Sequence, residues 1–108
     1  MIMAFGLSEH IMNQLIDLFD NNDLVEAAVL FGSRAKGNYR EGSDIDIALK
    51  GDGLTLETLK KLEVQIDRLF LPYEVNLVLY HYINNPLLIE HIERAGISIY
   101  NTKVSKGK

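Results

Sequence analysis

The segment Asp44–Lys50, DIDIALK, alternates polar and apolar residues over most of its length, which is the mark of a half-buried strand. Ile45, Ile47 and Leu49 fall on one side, and Asp44, Asp46 and Ala48 fall on the other. The same period brings two carboxylates onto one face, close enough that leaving both ionised is unfavourable without a compensating cation. Core packing has no need of that arrangement, so the strand demands both a sheet to sit in and a chemical reason for its polar face.

The rest of the chain supplies the sheet. VEAAVLF, from Val25 to Phe31, reads as a mostly buried strand that stops at Gly32. YEVNLVLY, from Tyr73 to Tyr80, reads as a third strand with Glu74 and Asn76 on one face and Val75 and Leu77 on the other, and ISIY as a short final one. Between them lie helices. The first runs from about Ser8 to Asn22, with Ser8 as N-cap and Ile11, Leu15, Leu18 and Phe19 on one face. The second starts at a Thr55 cap and runs to about Phe70 through Leu59, Leu62, Ile66 and Leu69. The third has Asn85 as N-cap, Pro86 at its first position and Gly96 as its end signal. Strands alternating with helices predict an α/β (α+β) layer fold. No repeat or linker interrupts the 108 residues, which suit a single domain over 1–108 with a mobile tail from about 101.

Composition narrows the function classes. No cysteine is present, so neither a disulfide framework nor a thiolate zinc site is available. A net charge of −4 disfavours broad nucleic-acid binding, and no apolar stretch approaches the roughly 20 residues of a membrane helix. Without the pattern of a signal peptide, the expected location is cytoplasmic.

The residues before the aspartates complete a candidate site. Gly32 lets the backbone approach a phosphate closely, and Ser33 offers an N–H and a hydroxyl. Arg34 and Lys36 add the positive charge that transferring phosphates require. For the carboxylates, hard oxygen ligands in low number suit Mg²⁺, typically held by one or two carboxylates together with substrate phosphates. Each part alone has a plain reading: a D-x-D is often an exposed polar face, a Gly-Ser a turn, and Arg34, Lys36, Arg40 and Glu41 a charged loop. Their joint spacing, with ten residues between Ser33 and Asp44, is what points to nucleotide chemistry. His10, His81 and His91 share no metal-ligand spacing and read as surface or boundary residues. Tyr73, Tyr80 and Tyr82 read as packing or rim residues.

Gly32-Ser33, the ten-residue gap and Asp44-Ile45-Asp46 together resemble the signature of the polymerase-β-type nucleotidyltransferase superfamily, and the chain's size resembles its minimal nucleotidyltransferase (MNT) branch. The resemblance runs from the Val25 strand to Tyr100. It implies a polymerase-β-like fold with a small mixed sheet flanked by helices, a triphosphate held at Gly32 and Ser33, and Asp44 and Asp46 as catalytic ligands of two Mg²⁺ ions. The implied reaction moves a nucleoside monophosphate, AMP from ATP, onto an acceptor hydroxyl with loss of pyrophosphate. Implied partners are a helical HEPN-type protein, with this chain as the antitoxin of a toxin–antitoxin pair, and a homo-oligomer is left open. The family also places an acidic residue on the third strand, where Asn76 is the matching position; Glu74 substitutes only if the register slips by two. Two readings follow: an Mg²⁺-dependent transferase acting on a protein partner or small acceptor, or a catalytically impaired module that neutralises a helical toxin by contact.

Overall fold

The computed structural model describes residues 3–102. In chain order the elements are β1 (Met3–Ala4), β2 (Leu7–Ser8), α1 (Glu9–Asp20), β3 (Ala27–Phe31), α2 (Ser33–Lys36), β4 (Ile45–Lys50), α3 (Leu56–Asp67), β5 (Val75–Leu79), a 3₁₀ turn (Tyr80–Tyr82), α4 (Pro86–Ala95) and β6 (Ile97–Asn101). The three long helices begin at the caps their sequences supply. Ser8 Oγ accepts from the Ile11 N–H at 3.2 Å, Thr55 Oγ1 from the Thr58 N–H at 3.3 Å, and Asn85 Oδ1 from the Leu87 N–H at 3.0 Å.

Four strands form one mixed sheet in the order β5-β4-β3-β6. β4 and β5 run parallel, joined by α3, while β3 is antiparallel to both β4 and β6. Ile45, Ile47 and Leu49 are fully buried, in a cluster with Leu15 and Phe19 of α1 and Leu62 and Ile66 of α3. The opposite face is covered more sparsely: Val29, Phe31 and Ala48 pack with Ile92 of α4. The alternation in DIDIALK thus marks a real asymmetry, with two helices on one face and α4 on part of the other. Tyr100 ties β6 to α1 by donating its phenol to Asp20 Oδ1 at 3.0 Å. Burial first, then that bond, hold its pKa above the ordinary tyrosine value.

Several boundaries differ from the sequence expectation for local reasons. α3 stops at Asp67 because Phe70 takes a φ of 52°, which no α-helix tolerates. The third strand ends at Leu79, since Tyr80–Tyr82 coil into the 3₁₀ turn. β6 continues to Asn101, and the Thr102 N–H donates to Glu26 O at 3.0 Å, so 101–102 belong to the fold rather than to the expected tail. The remaining tail residues, 103–108, lie outside the described residues. The β1–β2 hairpin went unforeseen; Phe5 and Gly6, with φ of 59° and 76°, make its turn. Among the described residues no helix is long and apolar enough to cross a membrane.

Candidate functional site

Strand register assembles the site. Phe31 pairs with Asp46 across β3 and β4, and Asp46 pairs with Asn76 across β4 and β5. Phe31, Asp46 and Asn76 therefore line up across three strands, with Gly32 the next residue after Phe31, at the end of the sheet face that α4 covers only in part. Gly32 has φ 78° and ψ −157°, a combination essentially restricted to glycine. A Cβ there would also run into the Asp46 carboxylate. Any side chain at Gly32 thus opposes both the turn and the aspartate it presents.

The connection from Gly32 to Asp44 is folded tightly. Lys36 N–H donates to Gly32 O at 3.1 Å to close the single turn of α2, and Gly37 ends it in the left-handed region. Further on, Ser43 Oγ accepts from the Arg40 N–H at 2.8 Å. The central fastening is Arg34. Expected among the phosphate ligands, it is instead 2% exposed, with Nε and Nη2 donating to Ser43 O at 3.1 and 2.7 Å and Nη1 donating to Phe5 O at 2.9 Å. Tyr39 and Tyr73 flank its guanidinium, with ring centroids 5.2 and 4.7 Å from Cζ. With three of its five N–H groups on backbone carbonyls and almost no exposed surface, the guanidinium is held inside the fold rather than presented to a ligand in solvent. Arg34 fixes the residue immediately before Asp44 and ties the N-terminal hairpin to the site loop. Arg34→Met is expected to cost about 2–4 kcal/mol, because it strands two carbonyls, and to lower Tm by roughly 10 °C or more. Arg34→Lys should recover little of this, since one ammonium cannot serve both carbonyls in that fork; a thermal melt of the two variants checks both expectations.

Asn76 settles onto the aspartates. Its Nδ2 donates to Asp44 Oδ2 at 3.2 Å and to Asp46 Oδ1 at 2.9 Å. Glu74 meets β4 through its backbone, its carbonyl accepting from the Ile45 N–H at 2.8 Å, and its side chain is exposed. The two-residue slip that would bring in Glu74 does not occur. Among the described residues no group of three or more His, Cys, Asp or Glu side chains is arranged to hold a metal ion. The donor set at the site is two carboxylates and one amide. Ser33 is half-buried beside Gly32, and Lys36 is exposed at the end of α2.

One neighbour of the site is a residue that reads from the sequence as surface or boundary. The Gly32 N–H donates to His91 Nε2 at 3.0 Å, and the His91 ring meets Phe31 edge-on, with centroids 6.1 Å apart. The partners lie 59 residues apart, so no local spacing could reveal them. On the same sheet face Tyr80 hydrogen-bonds Glu93, chiefly for which reason its pKa is raised, and Lys50 sits 4.6 Å from the Tyr80 ring.

A family model described as polymerase beta, nucleotidyltransferase matches residues 13–105. The chain belongs to that nucleotidyltransferase family. Its matched span takes in the Gly-Ser turn, both aspartates and Asn76. Solved structures agree. A chain from a toxin–antitoxin complex with AMP-PNP is 26% identical with a TM-score of 0.69, the alignment covering 85% of this chain and 74% of that one. A minimal nucleotidyltransferase is also 26% identical with a TM-score of 0.64, covering 88% of this chain and 95% of the other. At 24% identity and a TM-score of 0.56, a chain from the complex of tri-AMPylated Shewanella oneidensis HEPN toxin with MNT antitoxin shares the fold, over 88% of this chain and 73% of its own length. A comparison with curated proteins yields no match. The nucleotidyltransferase fold expected from the motif is the one present: a small mixed sheet flanked by helices.

Proposed function

We propose that this nucleotidyltransferase-family chain binds a nucleoside triphosphate, ATP by preference, with Mg²⁺ and moves the nucleoside monophosphate onto a helical HEPN-type partner, acting in the cytoplasm as the antitoxin of the pair. One observation carries the site assignment: the carboxylates of Asp44 and Asp46 converge on a single donor atom, Asn76 Nδ2, beside the Gly32 turn. A point shared by two carboxylate oxygens is where a hard cation fits, and the Asn76 amide can present its own oxygen there after rotating. The likeness to complexes with AMP-PNP and with an AMPylated HEPN toxin supports the choice of nucleotide and partner.

In this reading Asp44 and Asp46 hold the cation, while Ser33 and the exposed Lys36 serve the phosphates. A bound divalent ion neutralises phosphate charge and makes the attacking hydroxyl more acidic. Gly32 keeps the backbone thin where the nucleotide approaches. Of the three converging side chains only the aspartates can take a proton; Asn76 cannot.

That last point favours a second reading, a catalytically impaired member that neutralises its partner by contact. Co-expression with the helical protein encoded beside it, followed by incubation with radiolabelled ATP and Mg²⁺, separates the two. The expected result is co-elution at micromolar concentration with label on the partner. Co-elution without label establishes the contact reading, and separate elution with no label removes both.

A further inference from the structure

Gly32 occupies a backbone conformation open to glycine and closed to residues that carry a Cβ, so its orientation is set by what it bonds to. Three restraints act on it. Its carbonyl accepts from Lys36 inside α2, the Asp46 carboxylate fills the space a Cβ would take, and its N–H donates to His91 Nε2 at 3.0 Å. The first two come from the motif itself. The third comes from α4, and it fixes the orientation of the Phe31–Gly32 peptide, the one that leads the chain out of β3 into Ser33. Since Nε2 is the acceptor, the ring carries its proton on Nδ1. Phe31 and Ile92 anchor this stretch of α4 on the sheet, with the His91 ring edge-on to Phe31, so the imidazole is held rather than free to swing.

We infer that His91 is a positioning residue for nucleotide binding: it orients the Gly32 peptide and thereby aims Ser33 at the phosphates. The inference rests on the proposed nucleotide site and adds to it a residue from outside the motif. His91 acts through the turn, and its acceptor nitrogen is the working atom rather than its bulk or charge.

Two substitutions isolate that atom. His91→Gln retains an acceptor at a comparable reach on a good helix former, and His91→Leu keeps a similar volume against Phe31 but has no acceptor. Binding of AMP-PNP with Mg²⁺ is measured by calorimetry, with Gly32 amide exchange followed by NMR on the same samples. His91→Leu is expected to weaken the nucleotide about tenfold and to speed Gly32 exchange, whereas His91→Gln stays within about twofold of the parent in both. Equal affinity in the parent and His91→Leu overturns the inference while leaving the site intact. Equal weakening in both variants also overturns it, because the lost property is then the ring and not its acceptor. Absence of binding by the parent itself removes the nucleotide site, and the role of His91 falls with it.

Discussion

Replacing Asp44 and Asp46 together by alanine is expected to abolish Mg²⁺-dependent nucleotide binding while leaving the fold intact. The two carboxylates converge on one atom, Asn76 Nδ2, and no group of three or more carboxylates or imidazoles is arranged to hold a metal among the described residues. Loss of a metal's outer-shell partner alone typically costs 10- to 100-fold in metal affinity, so removing both direct ligands should cost more than about 100-fold. Stability should move little. Asp44 and Asn76 are exposed and Asp46 is half-buried, and an exposed amide released from its acceptors returns to water. Calorimetry with AMP-PNP, with and without Mg²⁺, reads the first expectation and a thermal melt reads the second. Unchanged Mg²⁺-dependent affinity in a folded double variant would mean that these aspartates are an ordinary polar strand face.

Asn76→Asp is expected to have the largest effect on turnover, raising label transfer by about 10² to 10⁴, the usual worth of a placed general base or its equivalent. The geometry makes the reason specific. Asn76 now bridges the two aspartates as a neutral donor, and an aspartate in its place sits across the strand pair from Asp46 as a third carboxylate. Without cation the three like charges repel, so the variant should melt at lower temperature than the parent in a chelator and recover when Mg²⁺ is added. Glu74→Gln should change neither property, because Glu74 joins β4 through its carbonyl and not its side chain. If Glu74→Gln abolished transfer while Asn76→Asp left it unchanged, the working third carboxylate would be Glu74, and the parallel register of β4 and β5 would shift in the active complex.

The local features of this molecule were legible in the chain. Caps at Ser8, Thr55 and Asn85, the alternation in DIDIALK and the Gly-Ser turn are each written within a few consecutive residues, where period and side-chain chemistry act directly on the backbone. Gly32-Ser33, the ten-residue gap and Asp44-Ile45-Asp46 also carried the resemblance to the family whose model matches residues 13–105. Alternation also put Asn76 on the polar face opposite Leu77, but a slip of two residues keeps the same faces, so the pairing of Asp46 with Asn76 rather than Glu74 was decided only by the assembled sheet.

What the chain did not disclose depends on partners far apart in sequence. Arg34 reads as a phosphate ligand because a basic residue after Gly-Ser is ambiguous until its surroundings are known; packing buries it and spends its donors on Ser43 and Phe5. His91 reads as a surface or boundary residue because nothing in α4 refers to Gly32, 59 residues earlier. The β1–β2 hairpin was equally hidden, its strands being two residues each and its burial supplied by the rest of the domain. Spacing along the chain determines which groups can share a face, whereas which of them meets solvent, backbone or ligand is decided by long-range packing, whose energy has no local signature.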